Sequence, residues 1–367
     1  MKVNFVDLVS QYAVIKDDVL SDTEAVLSTG GFIGAQEFEE KFSAFHGKKY
    51  CVGVGSGTDA LWLSLLALGI GIGDEVIVPS NTYIASAFAI SHTGATPVFV
   101  DPNPETYVID VDSIRSAITD KTKAIMPVHL YGHPVNMTKL MSFVSSKDIF
   151  VVEDCAQSVG ASCLNKKTGT FGDVGCYSFY PAKNLGGLGQ GGAIVTDNER
   201  LAIMVRELGN VGRSEGSWFD YIHKGFNSRL DALNAKFLSR GLNYLDTWNN
   251  ARVNSAVVYS ELLDGVPVVT PQLPTDDFYP VFHLYEIKCQ SEVVRDELKA
   301  FLGKKEIACG LHYPIPCHRQ PVYKELFAEC PIADELSKTL LSLPIHPGLK
   351  YSEIVYVSEA ICEFFDK

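Results

Sequence analysis

Two segments of the chain contain side chains that could do chemistry together. In the first, Glu153 and Asp154 end a strand-like run, 149–154, and carboxylates at such strand ends lie where open α/β sheets bind their ligands. In the second, Lys183 lies just past another strand-like run, 175–179, and before a group of glycines. Desolvation makes a lysine amine nucleophilic enough to form an imine. The sequence therefore predicts an acid and a reactive amine at two strand ends.

Each of these two residues also has an ordinary interpretation. Asp154 could cap a helix, and most lysines in loops are solvated charges. As a pair, however, Asp154 and Lys183 match the two groups that a pyridoxal phosphate site requires. These groups are a lysine that holds the cofactor as a Schiff base and an acid that keeps the pyridinium nitrogen protonated.

A glycine-rich turn at 52–61 is a candidate phosphate site. It ends a predicted strand in glycines, among them Gly57, and opens a helix near Thr58. Glycines let backbone N–H groups approach an anion, and the helix N-terminus adds a favourable dipole. The turn lacks the lysine of a P-loop and the full dinucleotide spacing, so a tight turn capped by Thr58 is an equal alternative. In the first interpretation, Ser178 would join the turn in holding a phosphate.

The elements around these residues predict an α/β fold. Short runs rich in Val and Ile alternate with helical stretches, which is typical of parallel strands covered by helices on both faces. The first half is therefore predicted to be doubly wound. Its strands are predicted at 75–79, 97–101, 124–128 and 149–154, followed by close-set strands at 175–179 and 192–196.

The second half predicts a bridging helix and a smaller domain. Apolar residues at helical spacing predict one long helix over 230–263, with a possible capping box from Ser228 to Asp231 at its start. A strand at 283–289 and helices near 292–303 and 351–365 indicate a small α+β domain. We predict a large domain over 1–245 and a small C-terminal domain over 246–367.

Composition narrows the function classes. The net charge is −13 without a basic run, which argues against nucleic acid as a partner. The sequence has no stretch apolar and long enough to span a membrane, so we expect a cytoplasmic protein. Nine scattered cysteines without a C-x-x-C pair argue against a disulfide framework and a zinc site, and no metal is expected.

Six motifs in order resemble those of the DegT/DnrJ/EryC1/StrS family of sugar aminotransferases. The resemblance runs from Phe5 to Ile345, nearly the whole chain, and each motif alone would be weak. The motifs lie at 56–61, 127–132, 153–157, 178–186, 225–231 and 312–318. The resemblance implies the aspartate aminotransferase fold, called fold type I, pyridoxal phosphate as cofactor, and a homodimer with active sites shared at the subunit interface.

The resemblance also implies roles for individual residues. Lys183 would bond the cofactor and move protons, while Asp154 would partner the ring nitrogen. Gln157 would contact the ring oxygen, and Tyr83 would stack on the ring. Gly57, Thr58 and Ser178 would bind the phosphate within one subunit. Asn227 would reach the same phosphate from the neighbouring subunit.

Further residues are implied to line the sugar pocket, namely Tyr180, His312 and Tyr313, with Tyr221 as a weaker candidate. Ordinary alternatives remain open for them, because the tyrosines, including Tyr83, could be core aromatics and His312 could be a buried structural histidine. Where the family usually has an acid between glycines, this chain has Gln190. We expect this departure not to abolish activity.

The implied reaction transfers an amino group from L-glutamate to a nucleotide-linked keto-sugar in deoxyamino sugar biosynthesis, such as that of O-antigen polysaccharide. Segment 180–186 is similar to that of the C3 enzymes, so we expect conversion of a dTDP-3-keto-6-deoxyhexose to a dTDP-3-amino-3,6-dideoxyhexose. Alternatives are a C4 aminotransferase and a UDP-3-keto-hexuronate aminotransferase, whose substrate carboxylate would need an arginine such as Arg229 or Arg319. A non-catalytic regulator that binds an amino-sugar or the cofactor is an alternative of another class.

Overall fold

The structure is a computed structural model and describes residues 1–214 and 216–366. The strands in this part of the chain are β1 Tyr50–Val54, β2 Glu75–Pro79, β3 Thr96–Val100, β4 Thr122–Ile125, β5 Phe150–Asp154, β6 Ser162–Cys163, β7 Lys166–Lys167, β8 Val174–Ser178, β9 Gly192–Thr196, β10 Phe278–Tyr279, β11 Tyr285–Lys288 and β12 Leu340–Leu343.

Helices surround these strands and connect most of them. The α-helices are α1 Leu8–Ala13, α2 Lys16–Thr29, α3 Gln36–His46, α4 Gly57–Ala67, α5 Ala85–His92, α6 Val111–Ala117, α7 Met137–Val144, α8 Glu199–Gly209, α9 Ala232–Leu242, α10 Leu245–Leu262, α11 Glu292–Lys304, α12 Pro331–Thr339 and α13 Tyr351–Phe365. Short 3-10 helices lie at Leu130–Gly132, Cys317–Arg319 and Pro321–Leu326.

The large sheet has seven strands in the order β1-β9-β8-β5-β4-β2-β3. The five neighbouring strands β8, β5, β4, β2 and β3 pair in parallel. Strand β9 runs antiparallel to both β1 and β8. The prediction of a mostly parallel α/β sheet is therefore confirmed. Because β5 and β8 are parallel neighbours, the side chains that follow their carboxyl ends meet at one edge of the sheet.

Successive residues of β2 show how the sheet is covered on both faces. Val76 and Val78 lie in a core with Leu63 of α4. Ile77, between them, lies in a different core with Ile114 of α6. This alternation follows from the twofold side-chain period of a strand. Since both faces need apolar residues, the strands are continuously hydrophobic, as the sequence indicated.

The C-terminal part forms a smaller unit around the antiparallel pair β11 and β12. Helix α10 links it to the large sheet, because Leu245 and Trp248 pack in the core around β8 and β9 while Val253 and Tyr259 pack with β11 and β12. Val3, near the N-terminus, also lies in this second core. The domain boundary at 245/246 stays a prediction, since α10 contributes to both cores.

The single helix predicted over 230–263 is wrong, because two helices occupy this stretch. Helix α9 ends at Leu242 and α10 begins at Leu245. Both helices bury apolar residues, so the helical spacing continues across the break and conceals it. The strand predicted at 283–289 is also shorter in the structure, covering Tyr285–Lys288.

Two predicted helix caps are also corrected. Asp231 itself caps α9 by accepting a hydrogen bond from the Asn234 backbone N–H at 2.9 Å, so Ser228 does not form a capping box. At the start of α4 the cap is Ser56 rather than Thr58, because the Ser56 Oγ accepts from the Asp59 backbone N–H at 3.1 Å. The short strands β6, β7 and β10 have no signal in the sequence, because two-residue strands are too short for a periodic pattern.

Among the described residues, no helix is both long enough and apolar enough to cross a membrane.

The buried carboxylate of Glu153 fixes the chain that follows β5. Its oxygens accept backbone N–H hydrogen bonds from Gly169, Phe171 and Gly172, each at 2.7 Å, and His129 Nε2 lies 3.1 Å away. Glu153 is fully buried. A buried charge needs such a complete set of partners, so these donors stabilise both the charge and the loop.

We expect Glu153→Gln to lower the free energy of unfolding by about 2–3 kcal/mol, because an amide N–H₂ would face backbone N–H donors and leave them unsatisfied. Urea unfolding measures this change. The control Glu105→Gln, at an exposed acid, should change stability by less than about 0.5 kcal/mol. Equal stability of the two variants would contradict this role of Glu153.

Candidate active site

Asp154 lies at the end of β5 and is almost completely buried, with 4% of its surface exposed. Its carboxylate accepts hydrogen bonds from the Ser86 hydroxyl at 2.7 Å and from the Ala156 backbone N–H at 3.0 Å. Burial nevertheless raises the pKa of Asp154, although these hydrogen bonds and the nearby Lys183 charge act to lower it. Because burial destabilises its charged form, the Asp154 carboxylate would be stabilised by a cationic partner.

Lys183 lies in the turn that follows β8, where its backbone N–H donates to the Tyr180 carbonyl at 2.8 Å. Burial lowers the pKa of Lys183 to about 8, while attraction to Asp154 acts to raise it. A large fraction of this amine is therefore neutral, and nucleophilic, near pH 8. The acid and the amine predicted from the two strand ends do come together in the fold.

The glycine turn and Ser178 meet at the start of α4. A Cβ added to Gly57 would lie 2.5 Å from the Ser178 Cβ, so only glycine allows this close approach. Thr58 follows in the first turn of α4, where backbone N–H groups lack partners within the helix. The turn is braced from behind by Ser228, whose hydroxyl accepts from the Gly55 N–H at 2.9 Å. The predicted phosphate ligands of one subunit thus lie together at the N-terminus of α4, where a phosphate could bind.

Gln157 connects the large sheet to residues of the C-terminal part. Its Oε1 accepts from the Tyr131 backbone N–H at 2.7 Å, and its Nε2 donates to the Tyr313 hydroxyl at 3.1 Å. The Tyr83 and Tyr313 rings lie 5.6 Å apart between centroids. The Tyr131 hydroxyl donates to the His312 carbonyl. The cofactor-side candidates Gln157 and Tyr83 therefore lie together with the sugar-side candidates His312 and Tyr313.

Other predicted site residues are exposed in a single chain. Tyr83 is 55% exposed, Tyr180 49% and Tyr221 62%, so none of these tyrosines is a core aromatic. Tyr221 forms a backbone bridge to Arg213. Within the described residues, hydrogen bonds do not connect Tyr221 to Lys183 or to the glycine turn. The structure of one chain thus leaves Tyr221 away from the hydrogen-bonded part of the site.

Asn227 is also exposed, and its side chain turns toward an arginine. Its Oδ1 accepts from Arg229 Nη2 at 2.6 Å, and Asn210 Oδ1 accepts from the other terminal nitrogen of Arg229 at 2.8 Å. Both of these partners are neutral amides, so they do not themselves neutralise the charge of Arg229. This surface is suited to an anion such as a phosphate.

Asn184 and His283 lie beside Lys183, and the sequence did not predict them as site residues. Asn184 Nδ2 donates to Asn249 Oδ1 at 2.8 Å and to the Val281 carbonyl at 3.1 Å, so its Oδ1 faces His283 Nδ1, at 3.1 Å. His283 therefore carries its proton on Nδ1. Burial lowers the pKa of His283 well below its usual value, and the charge of Lys183 adds to this effect. Only the position of Asn184 directly after Lys183 could have signalled this arrangement.

Gln190, the departure from the family pattern, has an exposed side chain. Its backbone carbonyl accepts from Asn234 Nδ2 at 2.7 Å, and Asn234 Oδ1 accepts from the Leu188 backbone N–H at 2.9 Å. The glycine-rich loop is thus held through its backbone. An acid at position 190 is not needed for these contacts.

A cluster of His129, Glu153 and Cys155 has ligand atoms within 4.8 Å of one another. The nitrogen atoms of His129 already have partners, since Nδ1 accepts from the Val135 backbone N–H at 3.0 Å and Nε2 faces Glu153. The oxygens of Glu153 also accept three backbone hydrogen bonds. This cluster is therefore explained as a structural hydrogen-bond network.

The residues present fit pyridoxal phosphate, the cofactor that the resemblance implies. Asp154 offers a buried carboxylate whose raised pKa favours a cationic partner such as a protonated ring nitrogen. Lys183 offers an amine that loses its proton easily, because its pKa is lowered to about 8. Gly57 brings the first turn of α4, whose N-terminal end favours anions, into contact with Ser178, so these residues could hold a phosphate.

Comparison with known proteins gives matches over almost the full length. The model of the DegT/DnrJ/EryC1/StrS aminotransferase family matches residues 15–362. The chain is 41% identical to the dTDP-3-amino-3,6-dideoxy-alpha-D-galactopyranose transaminase of Aneurinibacillus thermoaerophilus, covering 97% of this chain and 98% of the relative. It is 40% identical to the UDP-N-acetyl-3-dehydro-alpha-D-glucosamine 3-aminotransferase of Acidithiobacillus ferrooxidans, covering 97% of this chain and 96% of the relative.

A solved structure agrees with these matches. The crystal structure of DesV from S. venezuelae superimposes with a TM-score of 0.95 at 39% identity, covering 100% of this chain and 99% of DesV. The expected fold type I, the aminotransferase class and pyridoxal phosphate as the family's cofactor are confirmed. This chain belongs to the DegT/DnrJ/EryC1/StrS aminotransferase family.

Proposed function

We propose that this chain transfers the amino group of L-glutamate to C3 of a dTDP-linked 3-keto-6-deoxyhexose and so forms a dTDP-3-amino-3,6-dideoxyhexose. The observation that carries the proposal is the juxtaposition of the buried Asp154 carboxylate and the Lys183 amine, whose pKa is lowered to about 8, in a chain of this aminotransferase family. A catalytically inactive regulator would have no need to maintain this pair.

The chain's own residues divide the work of holding the cofactor. Asp154 would hold the ring nitrogen, and Tyr83 would stack on the ring. Gly57, Thr58 and Ser178 would bind the phosphate at the N-terminus of α4. When bound, pyridoxal phosphate would supply the electron sink that stabilises negative charge on the carbon that bears the amino group.

Lys183 would move the proton in both halves of the reaction. An amine with a pKa near 8 accepts and returns a proton with little bias near neutral pH. The neighbouring His283, neutral and held by Asn184 at 3.1 Å, adds no positive charge beside the amine. This environment supports a lysine that alternates between its neutral and charged forms.

Two observations support a 6-deoxyhexose substrate with amination at C3. Segment 180–186 has the form seen in the C3 enzymes, and the relative from Aneurinibacillus thermoaerophilus is named for a dTDP-3-amino-3,6-dideoxy sugar. A hexuronate would need a free arginine, but Arg319 donates to both carboxylate oxygens of Asp334, from Nε at 3.0 Å and from Nη2 at 2.6 Å. Arg229 is exposed beside Asn227, where its charge suits a phosphate, and within the described residues hydrogen bonds do not connect it to His312 or Tyr313 of the sugar side.

The same proposal includes a homodimer with shared sites. It also includes a cytoplasmic location. Near the predicted phosphate contact, the segment 218–222 exposes Trp218 and Phe219 to 75% and 87% in a single chain, and Tyr221 and Ile222 are also exposed. Contiguous exposed apolar side chains mark interaction surfaces. We infer that this surface is covered by the second subunit and that Asn227 reaches the partner's phosphate site.

A panel of substrates tests the proposed reaction. The purified protein, loaded with pyridoxal phosphate and supplied with L-glutamate, should form 2-oxoglutarate fastest with dTDP-3-keto-6-deoxyhexose. Parallel reactions contain the dTDP-4-keto isomer, a UDP-3-keto-hexuronate and UDP-N-acetyl-3-dehydroglucosamine. Efficient amination of the 4-keto isomer with none of the 3-keto isomer would overturn the assignment of C3, and a preference for either UDP-sugar would overturn the assignment of a dTDP-linked substrate.

Asn227→Ala tests the shared site. We expect cofactor affinity to fall by about 1.5–3 kcal/mol, or roughly 10- to 150-fold in Kd, because one hydrogen bond to a charged phosphate is lost. Asn210→Ala is the matched control, since it removes the other amide partner of Arg229 and should leave cofactor affinity within about twofold. A fully active monomer in analytical ultracentrifugation would refute the shared site.

A further inference from the structure

A buried acid lies behind His312 and is not used by the proposed mechanism. Glu286, in β11, is 1% exposed and pairs in register with Ser342 of β12. The Ser342 Oγ lies 2.5 Å from Glu286 Oε1 and 2.6 Å from His312 Nδ1. Glu286, Ser342 and His312 thus form a continuous hydrogen-bonded chain, which we call the acid relay.

The ring and the backbone of His312 are each held by a further contact. The Phe5 ring stacks on His312 with centroids 5.7 Å apart, and the Tyr131 hydroxyl donates to the His312 carbonyl. The His312 side chain remains 25% exposed. Burial lowers its pKa to about 4, and the charge of Lys183 acts in the same direction. A neutral imidazole close to Lys183 is therefore fixed in orientation.

The proton count of the acid relay allows two arrangements. The Ser342 hydroxyl has one proton, so it donates either to Glu286 or to His312. If Glu286 is ionised, Ser342 donates to it, and His312 must donate from Nδ1 and present a bare Nε2. If Glu286 is protonated, it donates to Ser342, which donates to His312 Nδ1, and the ring then carries its proton on Nε2.

The surroundings of Glu286 favour the protonated acid. Burial raises the pKa of Glu286 to about 8, although the Ser342 hydrogen bond acts to lower it. Its Oε2 has no hydrogen-bond partner among the described residues, a cost that is smaller for a neutral carbonyl oxygen than for a charged one. His312 is the basic group that faces it, and the other titratable groups near it are Tyr107, Tyr131, Cys309 and Tyr313.

We propose that Glu286 and Ser342 are positioning residues that hold His312 with its proton on Nε2, so that His312 donates a hydrogen bond to an oxygen of the bound keto-sugar. Nε2 has no partner within the described part of the chain, which leaves it available to a ligand. This inference rests on the proposed function, because it assigns the acid relay to the sugar-binding side of that site.

Ser342→Ala interrupts the acid relay without removing either end. Kinetics of the two half-reactions separate its effects. The glutamate half-reaction, followed by loss of the pyridoxal absorbance, should stay within about twofold of the wild type. The kcat/KM for the keto-sugar should fall about tenfold. The control Ser358→Ala removes a buried hydroxyl for which the described residues offer no hydrogen-bond partner, and both half-reactions should be unchanged.

A readout independent of turnover is the ¹⁵N NMR spectrum of histidine-labelled holoenzyme, with the His312 signals identified from a His312→Gln sample. In the wild type at pH 7, His312 Nδ1 should show the shift of an unprotonated nitrogen and Nε2 that of a protonated one. A protonated Nδ1 in the wild type would overturn the proposal, as would an unchanged sugar half-reaction in Ser342→Ala. A wild type that fails the glutamate half-reaction would count against the proposed function instead, because the nitrogen shifts need no turnover.

Glu286→Gln provides the conservative variant, because its amide N–H₂ can donate to Ser342 as the protonated acid does. It should retain the sugar half-reaction at pH 7. In the wild type this half-reaction should slow as the pH rises through about 8, since Glu286 loses its proton and reverses the acid relay. Lys183 also titrates in this range, so the comparison of the two pH profiles isolates Glu286. Identical profiles would contradict the proposal.

Discussion

The site depends on one electrostatic constraint, which is the burial of the Asp154 carboxylate beside the Lys183 amine. Removal from water favours the neutral form of each group, so it raises the pKa of the acid and lowers the pKa of the amine to about 8. Their mutual attraction opposes both shifts. The two groups stay together because β5 and β8 are hydrogen-bonded parallel neighbours whose carboxyl ends meet at the same edge of the sheet.

The rest of the structure supplies what this pair lacks. The start of α4 brings a helix N-terminus against Ser178, where glycine alone permits the close packing. The C-terminal part adds His312 and Tyr313, which reach the large sheet through hydrogen bonds to Tyr131 and Gln157. Residues more than 150 positions apart in the sequence thus form one site, and the α10 helix, packed in both cores, ties its two sides together.

The sequence predicted the parts of the site that have local signals. Asp154 ends one continuous apolar run and Lys183 lies just past another, which identifies both, and the alternation of strands and helices predicts the mostly parallel sheet. Asn184, His283 and the acid relay through Glu286 were missed, because their hydrogen bonds join distant segments and leave no local spacing. The break between α9 and α10 was missed for a related reason, since both helices pack against apolar cores and the spacing of apolar residues does not change across it.

The most direct test of the central claim is to reduce the pyridoxal phosphate-loaded protein with borohydride and to locate the modified lysine by peptide mass spectrometry. The lowered pKa of the amine predicts that the added mass lies on Lys183 and that Lys183→Ala takes up none. The variant Lys121→Ala, at an exposed lysine, should keep the label on Lys183. A label on another lysine in the wild type would contradict the account.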